Sequence, residues 1–455
     1  SVASVEGEEF TAQVVAQVQG AGERQLLRLL FQELQERHRL VREQGAVTVG
    51  QRRLSRYRFA HTLFQQYLYG HLGEGERMLL HGQIAAVLEE LYEGATETVA
   101  VQLAHHYSEA GDDPRALRHY ALAGDVALAS FANREAEEHY RRGLKLSPGE
   151  PQRALLLSGL GRALSRQGRF QEAIQTWREA IGLCRALGDS GEMAWLYGRS
   201  AEAAAEAGDS LESQRLCQEG LAALSGAPEG IGLAHLLCEA GARYAYSGKL
   251  DKGLSLCQRA LEMAERLGAV EVQADALAWL GRYSGLSAEK SQESLARAVR
   301  LAEGAGLLEV AASAHNRLGV YHAYTLADAR TARDHCRQAA ELYRQVGRTV
   351  DQAYVLANVA TFSQFLGEFE EAEATLSFVC QLLSQLTEAG RAAYSIRFCE
   401  VWLLGLRGEW AEAARLARAL QADTRERSPT FLGGAGYLLA WVARESYVLG
   451  EGAPA

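Results

Sequence analysis

The sequence predicts an all-α fold, an α-solenoid in which antiparallel helix pairs stack into a right-handed superhelix behind a small N-terminal module. The main observation is a six-residue turn segment that begins at Gly168 and returns at Gly208, Gly248, Gly367 and Gly408. The steps are 40, 40, 119 and 41 residues, and the longest interval has room for two more repeats. Self-similarity at a fixed period of this length is typical of helical repeat proteins.

Apolar and small positions explain why the helices come in pairs. One helix pair cannot bury both of its apolar faces, so Leu160 and Leu164 on a first helix need Trp177 on the second helix to cover them. Small residues such as Gly161 indicate points where two helices cross closely. Gly168 and its equivalents end the first helix of each pair, because glycine adopts the left-handed conformation of a helix C-cap without steric cost.

Composition narrows the class of protein. The chain has 455 residues, a hydrophobic fraction of 48% and 6 prolines, which suits a nearly all-helical array. A net charge of -10 without a basic block argues against a nucleic-acid partner. The absence of a signal peptide and of a run of about 20 apolar residues predicts a cytoplasmic protein with no membrane partner. Because the chain begins at Ser1 and not at methionine, we expect a fragment of a longer protein.

The seven cysteines are not expected to form a disulfide framework. Cys217, Cys257 and Cys336 fall at the repeat position that Trp177 occupies. This placement indicates core packing in a reducing compartment, because a disulfide framework has no reason to follow the repeat period.

The first part of the chain does not follow the repeat. Its apolar spacing predicts helices at Glu9–Val18 and Glu23–Arg37, strands at Leu40–Arg42 and Arg56–Phe59 around a turn region at 45–55, and a helix that opens at His61. Two helices, a two-stranded wing and a further helix make a winged-helix module. We place this module at 1–75, a bridging helix pair at 76–114 and the array at 115–455.

The array is predicted to contain eight helix pairs and one last helix. The pairs are expected at 115–149, 151–188, 191–226, 230–268, 270–306, 309–347, 350–388 and 391–425, and the last helix at Phe431–Leu449. Pro114 stands where its missing N–H costs nothing, at the start of the first pair.

Two resemblances follow from these residues. The spacing of the repeat resembles the tetratricopeptide repeat, with a pitch near 40 residues, and it is carried by Leu160, Gly161, Leu164, Gly168, Phe170, Ala173, Trp177 and Ala180. The segment from Arg56 to His61, with Tyr67 and Tyr69 beyond it, resembles the winged-helix region of bacterial STAND signal-transduction NTPases. The residues beside His61, Ala60 and Thr62, depart from the family's Met-His-Asp form.

The STAND resemblance implies that nucleotide binding and ligand recognition belong to different domains of the intact protein. An upstream nucleotide-binding domain, absent from this chain, would bind ADP or ATP with Mg, and His61 would contact the β-phosphate of ADP. The alternative for His61 is a side chain that caps the helix it precedes. No cofactor is expected on the chain itself. The fragment is expected to be monomeric, and the intact protein to oligomerise on activation.

A search for catalytic motifs finds none. The sequence has no GxxxxGK[ST] phosphate loop, no His-Glu-x-x-His, no paired CxxC and no GxSxG. His105 and His106 are neighbours on one helix, and because adjacent helical residues point apart we expect no metal site there. The chain is therefore predicted not to be an enzyme.

Ligand recognition therefore remains as the predicted function. The first helix of each pair is expected to line the concave groove of the solenoid. The groove-facing candidates are Arg162, Arg166, Trp195, Arg199, Tyr246, Trp279, Arg282, Arg317, Tyr324, Tyr354, Asn358, Gln364 and Phe365. Aromatic and arginine side chains supply much of the binding energy at interfaces, although the same aromatic residues often serve only as packing in helical arrays. Arginines in the groove of an acidic protein indicate an anionic or carboxylate-bearing ligand.

The sequence thus favours the sensor region of a STAND NTPase, in which a peptide or protein ligand in the groove releases autoinhibition and permits nucleotide exchange. The alternative is a constitutive scaffold or adaptor with no nucleotide switch. An enzyme with unrecognised catalytic residues is the third class.

Overall fold

The eight predicted helix pairs are present in the computed structural model, which describes residues 1–283, 287–384, 386, 390–427, 440 and 442–444. The pairs are α7 (Asp113–Ala129) and α8 (Asn133–Lys145), α9 (Glu150–Arg166) and α10 (Phe170–Leu187), α11 (Ser190–Glu206) and α12 (Ser210–Ala223), α13 (Ile231–Tyr246) and α14 (Leu250–Leu267), α15 (Val270–Tyr283) and α16 (Ala288–Gly304), α17 (Leu308–Thr325) and α18 (Ala329–Gln345), α19 (Thr349–Phe365) and α20 (Phe369–Leu383), and α21 (Ala392–Leu406) and α22 (Trp410–Arg427). The predicted α-solenoid is confirmed. The predicted last helix at 431–449 lies outside the described residues, apart from 440 and 442–444.

The chain divides into two compact units. One comprises residues 1–130 and 135–159, and the other comprises 131–134 and 160–455. The predicted boundaries at 75 and 114 do not coincide with this division and stay predictions. No helix in the described ranges combines the length and the apolar composition that a membrane span requires.

Before the array lies a small module with three strands. It contains α1 (Val2–Glu6), β1 (Glu9–Thr11), α2 (Ala12–Gln19), α3 (Glu23–Arg28) with a π-helical continuation at Leu29–Arg37, β2 (Val41–Val49), β3 (Arg52–Phe59) and α4 (Thr62–Gly70). Then come α5 (Glu74–Leu91), a 3-10 turn at Thr96–Val99 and α6 (Ala100–Glu109). The elements α2, α3, the β2–β3 hairpin and α4 follow in the predicted order, whereas α1 and β1 were not predicted. The assignment to a winged-helix module stays a prediction.

Two local predictions in this module were wrong. Residues Glu9–Thr11 are a strand and not the start of a helix, because they pair antiparallel with β3 and place Phe10 opposite Tyr57. The strands β2 and β3 also run through most of the predicted turn region. Gly50, with a φ of 58°, permits a tight turn between them.

The turn glycines do what their spacing predicts. Gly168, Gly208, Gly248, Gly367 and Gly408 have φ between 76° and 84°. A side chain in that region would be strained, so each glycine ends its first helix and lets the second begin two residues later.

Packing between the helices of a pair follows the predicted seam. Trp177 is fully buried at 0% exposure and Leu160 is 6% exposed. In the next-but-one pair, a Cβ on Gly241 would lie 2.5 Å from Cys257 Sγ and 2.8 Å from the carbonyl oxygen of Gly253. The first and second helices therefore cross too closely there for any side chain. Cys217, Cys257 and Cys336 are all buried, in agreement with their predicted packing role.

Candidate functional site

The second unit contains a cavity of about 450 Å³ lined by successive first helices. Its walls come from one face each of α11, α13, α15 and α17, with further residues from the starts of α12, α19 and α21 and from α18. On α13 the lining residues are Glu239, Arg243 and Tyr246, a spacing of four and three that keeps them on one helix face. We call this space the central cavity.

Charged groups of both signs dominate the lining. Its arginines are Arg199, Arg243, Arg282, Arg317, Arg348 and Arg391. Its carboxylates are Glu202, Glu206, Glu239, Glu271, Asp275 and Glu309. Six cations therefore face six acids, and the excess of arginine that the sequence suggested does not exist in the folded cavity.

Most of these charges form ion pairs across or along the wall. Arg199 lies 2.8 Å from Glu202, and Arg317 of α17 lies 2.9 Å from Asp275 of α15. Burial would raise the pKa of Glu202, but Arg199 outweighs it and lowers the pKa to about 2. The pair is therefore ionic near neutral pH.

One buried network joins distant parts of the array at the cavity wall. Arg348, at the start of α19, lies 2.5 Å from Glu206 at the end of α11, and the two side chains are 4% and 6% exposed. It also contacts Glu309 at 3.2 Å and Asp351 at 2.8 Å. Burial, with the charges of Asp351 and Glu202, raises the pKa of Glu206 to about 8 even though Arg348 opposes the rise.

The backbone continues this junction. The amide of Arg391, at the start of α21, donates to the carbonyl oxygen of Glu206 at 2.7 Å. A Cβ on Gly168 would lie 2.6 Å from the Val350 side chain. Through these contacts the second and third helix pairs meet the seventh and eighth, so the array closes on itself beside the cavity. We call this contact region the closure junction.

Aromatic residues occupy the opposite part of the lining. The rings of Tyr246 and Trp279 are 5.3 Å apart and nearly perpendicular, and the guanidinium of Arg317 lies 4.2 Å from the centre of the Trp279 ring. The indole Nε1–H of Trp279 is buried and has no hydrogen-bond partner among the described residues. A buried donor without a partner is costly, so this group is available to a ligand.

Two charges in the lining have no ion-pair partner. Within the described residues, neither Arg282 nor Glu271 has an oppositely charged side-chain atom within the 4.0 Å of an ion pair. Arg282 faces tyrosines instead. Burial would raise the pKa of Tyr246, but the positive charges of Arg282 and Arg243 lower it below its usual value. Burial, with the charge of Asp275, raises the pKa of Glu271 despite the opposing effect of Arg199.

The structure places six of the predicted groove residues in this lining. They are Arg199, Tyr246, Trp279, Arg282, Arg317 and Tyr354. The other predicted groove residues are outside it, namely Arg162, Arg166, Trp195, Tyr324, Asn358, Gln364 and Phe365. As ligand contacts, all of them stay predictions.

Several residues outside the lining have clear structural neighbours. Trp195 packs on His235 with ring centres 4.5 Å apart, and Asn358 donates to Asn316 at 2.9 Å. Gln364 is buried and donates to the carbonyl oxygen of Cys399. Tyr324 and Phe365, at 63% and 46% exposure, make an edge-to-face ring contact near the ends of their helices.

Sequence reasoning missed Arg243, Arg348, Arg391 and all six carboxylates of the lining. A signal existed for one pair, because Glu239 and Arg243 stand four residues apart on a first helix, the spacing of an ion pair on one face. Nothing local points to Arg348.

His61 lies at the N-cap of α4, but its side chain makes no capping hydrogen bond, and the residue is exposed. The structure therefore does not support the capping alternative. Its role toward a nucleotide stays a prediction.

A buried histidine beside the cavity gives a pH prediction. Burial and the charge of Arg199 lower the pKa of His235 to about 4, against an ordinary value of 6.5. Between pH 4 and pH 6.5 the unfolded chain binds more protons at this histidine than the folded chain does. The free energy of unfolding is therefore highest above pH 6.5 and falls by about 3 kcal/mol in all as the pH drops toward 4. We expect His235→Gln to remove much of the difference between urea unfolding midpoints at neutral and mildly acidic pH.

The exposed residue His38 provides the control for this measurement. His38→Gln should leave the pH dependence of unfolding as it is in the parent chain. If His235→Gln also leaves it unchanged, protonation of His235 does not contribute to acid lability.

Comparison with known proteins supports the repeat and the fold. Residues 156–190 match the family model for the tetratricopeptide repeat. The structure is similar to that of a Signal Transduction ATPase with Numerous Domains (STAND) protein with a tetratricopeptide repeat sensor from Pyrococcus horikoshii, at 14% identity and a TM-score of 0.52. The match covers 98% of this chain and 63% of that one, so this chain spans less than two thirds of that protein's length.

Two further structures match less well. A Rap protein complexed with Competence and Sporulation Factor has a TM-score of 0.47 at 11% identity, covering 74% of this chain and 99% of that one. The quorum sensor NprR from B. thuringiensis, in its apo form, has a TM-score of 0.47 at 13% identity, covering 70% of this chain and 92% of that one. Among proteins with curated descriptions, none matches the sequence. The resemblance to a tetratricopeptide-repeat STAND protein is confirmed at the level of the fold, and the chain is a tetratricopeptide-like α-solenoid behind a small three-stranded module.

Proposed function

We propose that this chain is the ligand-recognition region of a larger signalling protein, and that the central cavity binds a short peptide or peptide segment with charges of both signs. The observation that carries the proposal is the pair of unpartnered charges, Glu271 and Arg282, in a cavity of about 450 Å³. The volume of this cavity lies in the range of small-ligand sites, and its lining is more highly charged than most such sites.

The two charges are placed at opposite ends of one helix face. Glu271 and Arg282 are both on α15, and their separation of eleven residues corresponds to slightly more than three helical turns. Their Cα atoms are therefore about 16 Å apart along the helix axis. Trp279 lies between them on the same face. A ligand that spans the wall can place an ammonium at Glu271 and a carboxylate at Arg282.

This distance limits the length of the ligand. An extended chain advances by about 3.3 to 3.6 Å per residue, so roughly four to five residues cover the span. The backbone of such a peptide offers acceptors to the unpartnered indole N–H of Trp279, and its side chains can pack on Tyr246. Charge-assisted hydrogen bonds at the two termini then fix its direction.

The closure junction offers a route from the ligand to a signal. Glu206, Glu309 and Arg348 belong both to the cavity lining and to the junction. A ligand shifts a conformational equilibrium only if it binds one state better than the other. A ligand that contacts these three residues would bind the array with a closed junction and the array with an open junction differently. We propose that occupancy of the cavity biases this junction.

We further propose that the intact protein carries an upstream nucleotide-binding domain that uses ADP or ATP with Mg; the fold similarity to a STAND ATPase with a tetratricopeptide repeat sensor supports this. In that arrangement ligand binding releases autoinhibition and permits nucleotide exchange and oligomerisation. His61, which is exposed at the N-cap of α4, would contact the β-phosphate of ADP.

Calorimetry with peptides of four or five residues tests the cavity. Peptides with both termini free should bind, and capping either terminus should weaken binding by about ten-fold or more, because a charge-assisted contact contributes roughly 1.5 to 3 kcal/mol. Arg282→Gln should weaken a peptide with a free carboxylate and leave its amidated form unaffected. Glu271→Gln should show the reciprocal pattern with acetylated peptides.

Arg344 on α18 is the matched control, since it is 61% exposed and pairs with Glu341 outside the cavity. Arg344→Gln should bind all peptides as the parent chain does. If no peptide in the panel binds, or if the three variants behave alike, the proposed ligand class is wrong and a scaffold without a small ligand becomes the better explanation.

A further inference from the structure

Three histidines in the first unit come together although only two are neighbours in sequence. His81 is on α5, and His105 and His106 are on α6. The ring centres of His81 lie 5.5 Å from His105 and 5.0 Å from His106, and the two neighbours are 5.4 Å apart. The expectation that adjacent histidines point apart did not include a third imidazole from another helix, which faces both of them.

The arrangement brings one ligand nitrogen from each ring within 4.8 Å of the others. The Nδ1 atoms of His81 and His106 are 2.8 Å apart. Both of these residues are 1% exposed, whereas His105 is exposed. Two buried imidazoles thus face each other, and the third connects them to solvent.

A second contact orients the first imidazole. The Tyr69 hydroxyl lies 3.2 Å from Nε2 of His81. If Nε2 carries the proton and donates to this hydroxyl, the lone pair of Nδ1 points toward His106. Metal-bound histidines commonly donate their other ring nitrogen to such a partner, which fixes the tautomer.

We propose that His81, His105 and His106 form a tri-histidine site for a divalent transition-metal ion, with Zn²⁺ as the expected occupant. Imidazole nitrogens bind Zn²⁺ at about 2.0 to 2.1 Å, which in a tetrahedral site places ligand nitrogens about 3.3 Å apart. The Nδ1 atoms of His81 and His106 are closer than this at 2.8 Å, and no ligand nitrogen is more than 4.8 Å from the others, so shifts of about 1.5 Å or less in the nitrogen positions assemble the site. Three protein ligands leave one position for water.

The proposed ion would join α5 to α6. Each helix supplies at least one ligand, so bound metal should stabilise this helix pair by mass action and raise the unfolding temperature of the first unit. This consequence does not depend on the central cavity or on any ligand bound there.

Metal titration of the full chain, first stripped with a chelator, tests the site. Calorimetry with Zn²⁺ should give one ion per chain, and Co²⁺ should give the visible absorption of a tetrahedral complex. His105→Ala removes the exposed ligand and should weaken Zn²⁺ binding by at least about ten-fold without disturbing the buried pair. Tyr69→Phe should weaken it less, by about ten-fold at most, since it removes only the orienting contact.

His71 provides the control, because it is an exposed histidine outside the cluster. His71→Ala should bind Zn²⁺ as the parent chain does. The proposal is overturned if the parent chain shows no saturable binding up to millimolar Zn²⁺, or if His105→Ala and His71→Ala bind with the affinity of the parent chain.

Discussion

Replacing Arg348 by methionine should destabilise the array by about 3 to 5 kcal/mol, because it leaves buried carboxylates without their shared cation. Arg348 contacts Glu206, Glu309 and Asp351, and its side chain is only 4% exposed. Chemical denaturation followed by circular dichroism measures the loss. Arg344→Met is the control, since Arg344 is 61% exposed and loss of its pair with Glu341 should cost under about 1 kcal/mol.

The same variant should open the closure junction specifically. The amide of Arg391 donates to the carbonyl oxygen of Glu206 beside the Arg348 network. Hydrogen exchange at the start of α21 should therefore become faster in Arg348→Met than in Arg344→Met, while exchange in α14, away from the junction, should change less. Equal exchange at the start of α21 in both variants would show that the junction holds without the guanidinium.

Replacing Phe362 by alanine should cost about 3 to 5 kcal/mol, the range for deleting a buried aromatic ring. Phe362 is 0% exposed on α19, and its ring lies 6.0 Å from that of Tyr324. Phe365 gives a closely matched control, since it is the same residue type three positions later on the same helix and is 46% exposed.

Phe365→Ala should cost under about 1.5 kcal/mol, because its ring is 46% exposed and buries less apolar surface than that of Phe362. Urea unfolding midpoints of both variants measure the difference. If Phe365→Ala is as destabilising as Phe362→Ala, the exposed aromatic surface formed with Tyr324 is structural, and the predicted role of Phe365 as a groove residue loses its basis.

Helix pairing was predictable because it depends on short-range rules. The pair predicted at 151–188 corresponds to α9 and α10, which end at Arg166 and Leu187. The end of α9 follows from Gly168, because few other residues adopt its φ of 76°. The packing of α9 on α10 follows from Trp177, which is 0% exposed. Both residues lie within one repeat, so comparing repeats along the sequence is enough to recognise them.

The errors arose where a distant segment decided the local structure. Phe10 falls at a helical spacing, yet it lies in a strand because β3, about fifty residues later, pairs with it. The histidine cluster needed His81 from another helix. In both places the local pattern fits more than one structure, and the partner that selects one of them is not visible in the pattern.

The repeat pattern was enough to predict the class of fold, the period and the use of first helices to line a concave space. Only the tertiary structure shows that these faces enclose a cavity lined by equal numbers of arginines and carboxyl groups, and that Glu206 meets Arg348, 142 residues away. The physical reason is that small rotations between successive helix pairs add up along the array. Their sum over several repeats brings the third pair to the seventh, and no single repeat encodes that sum.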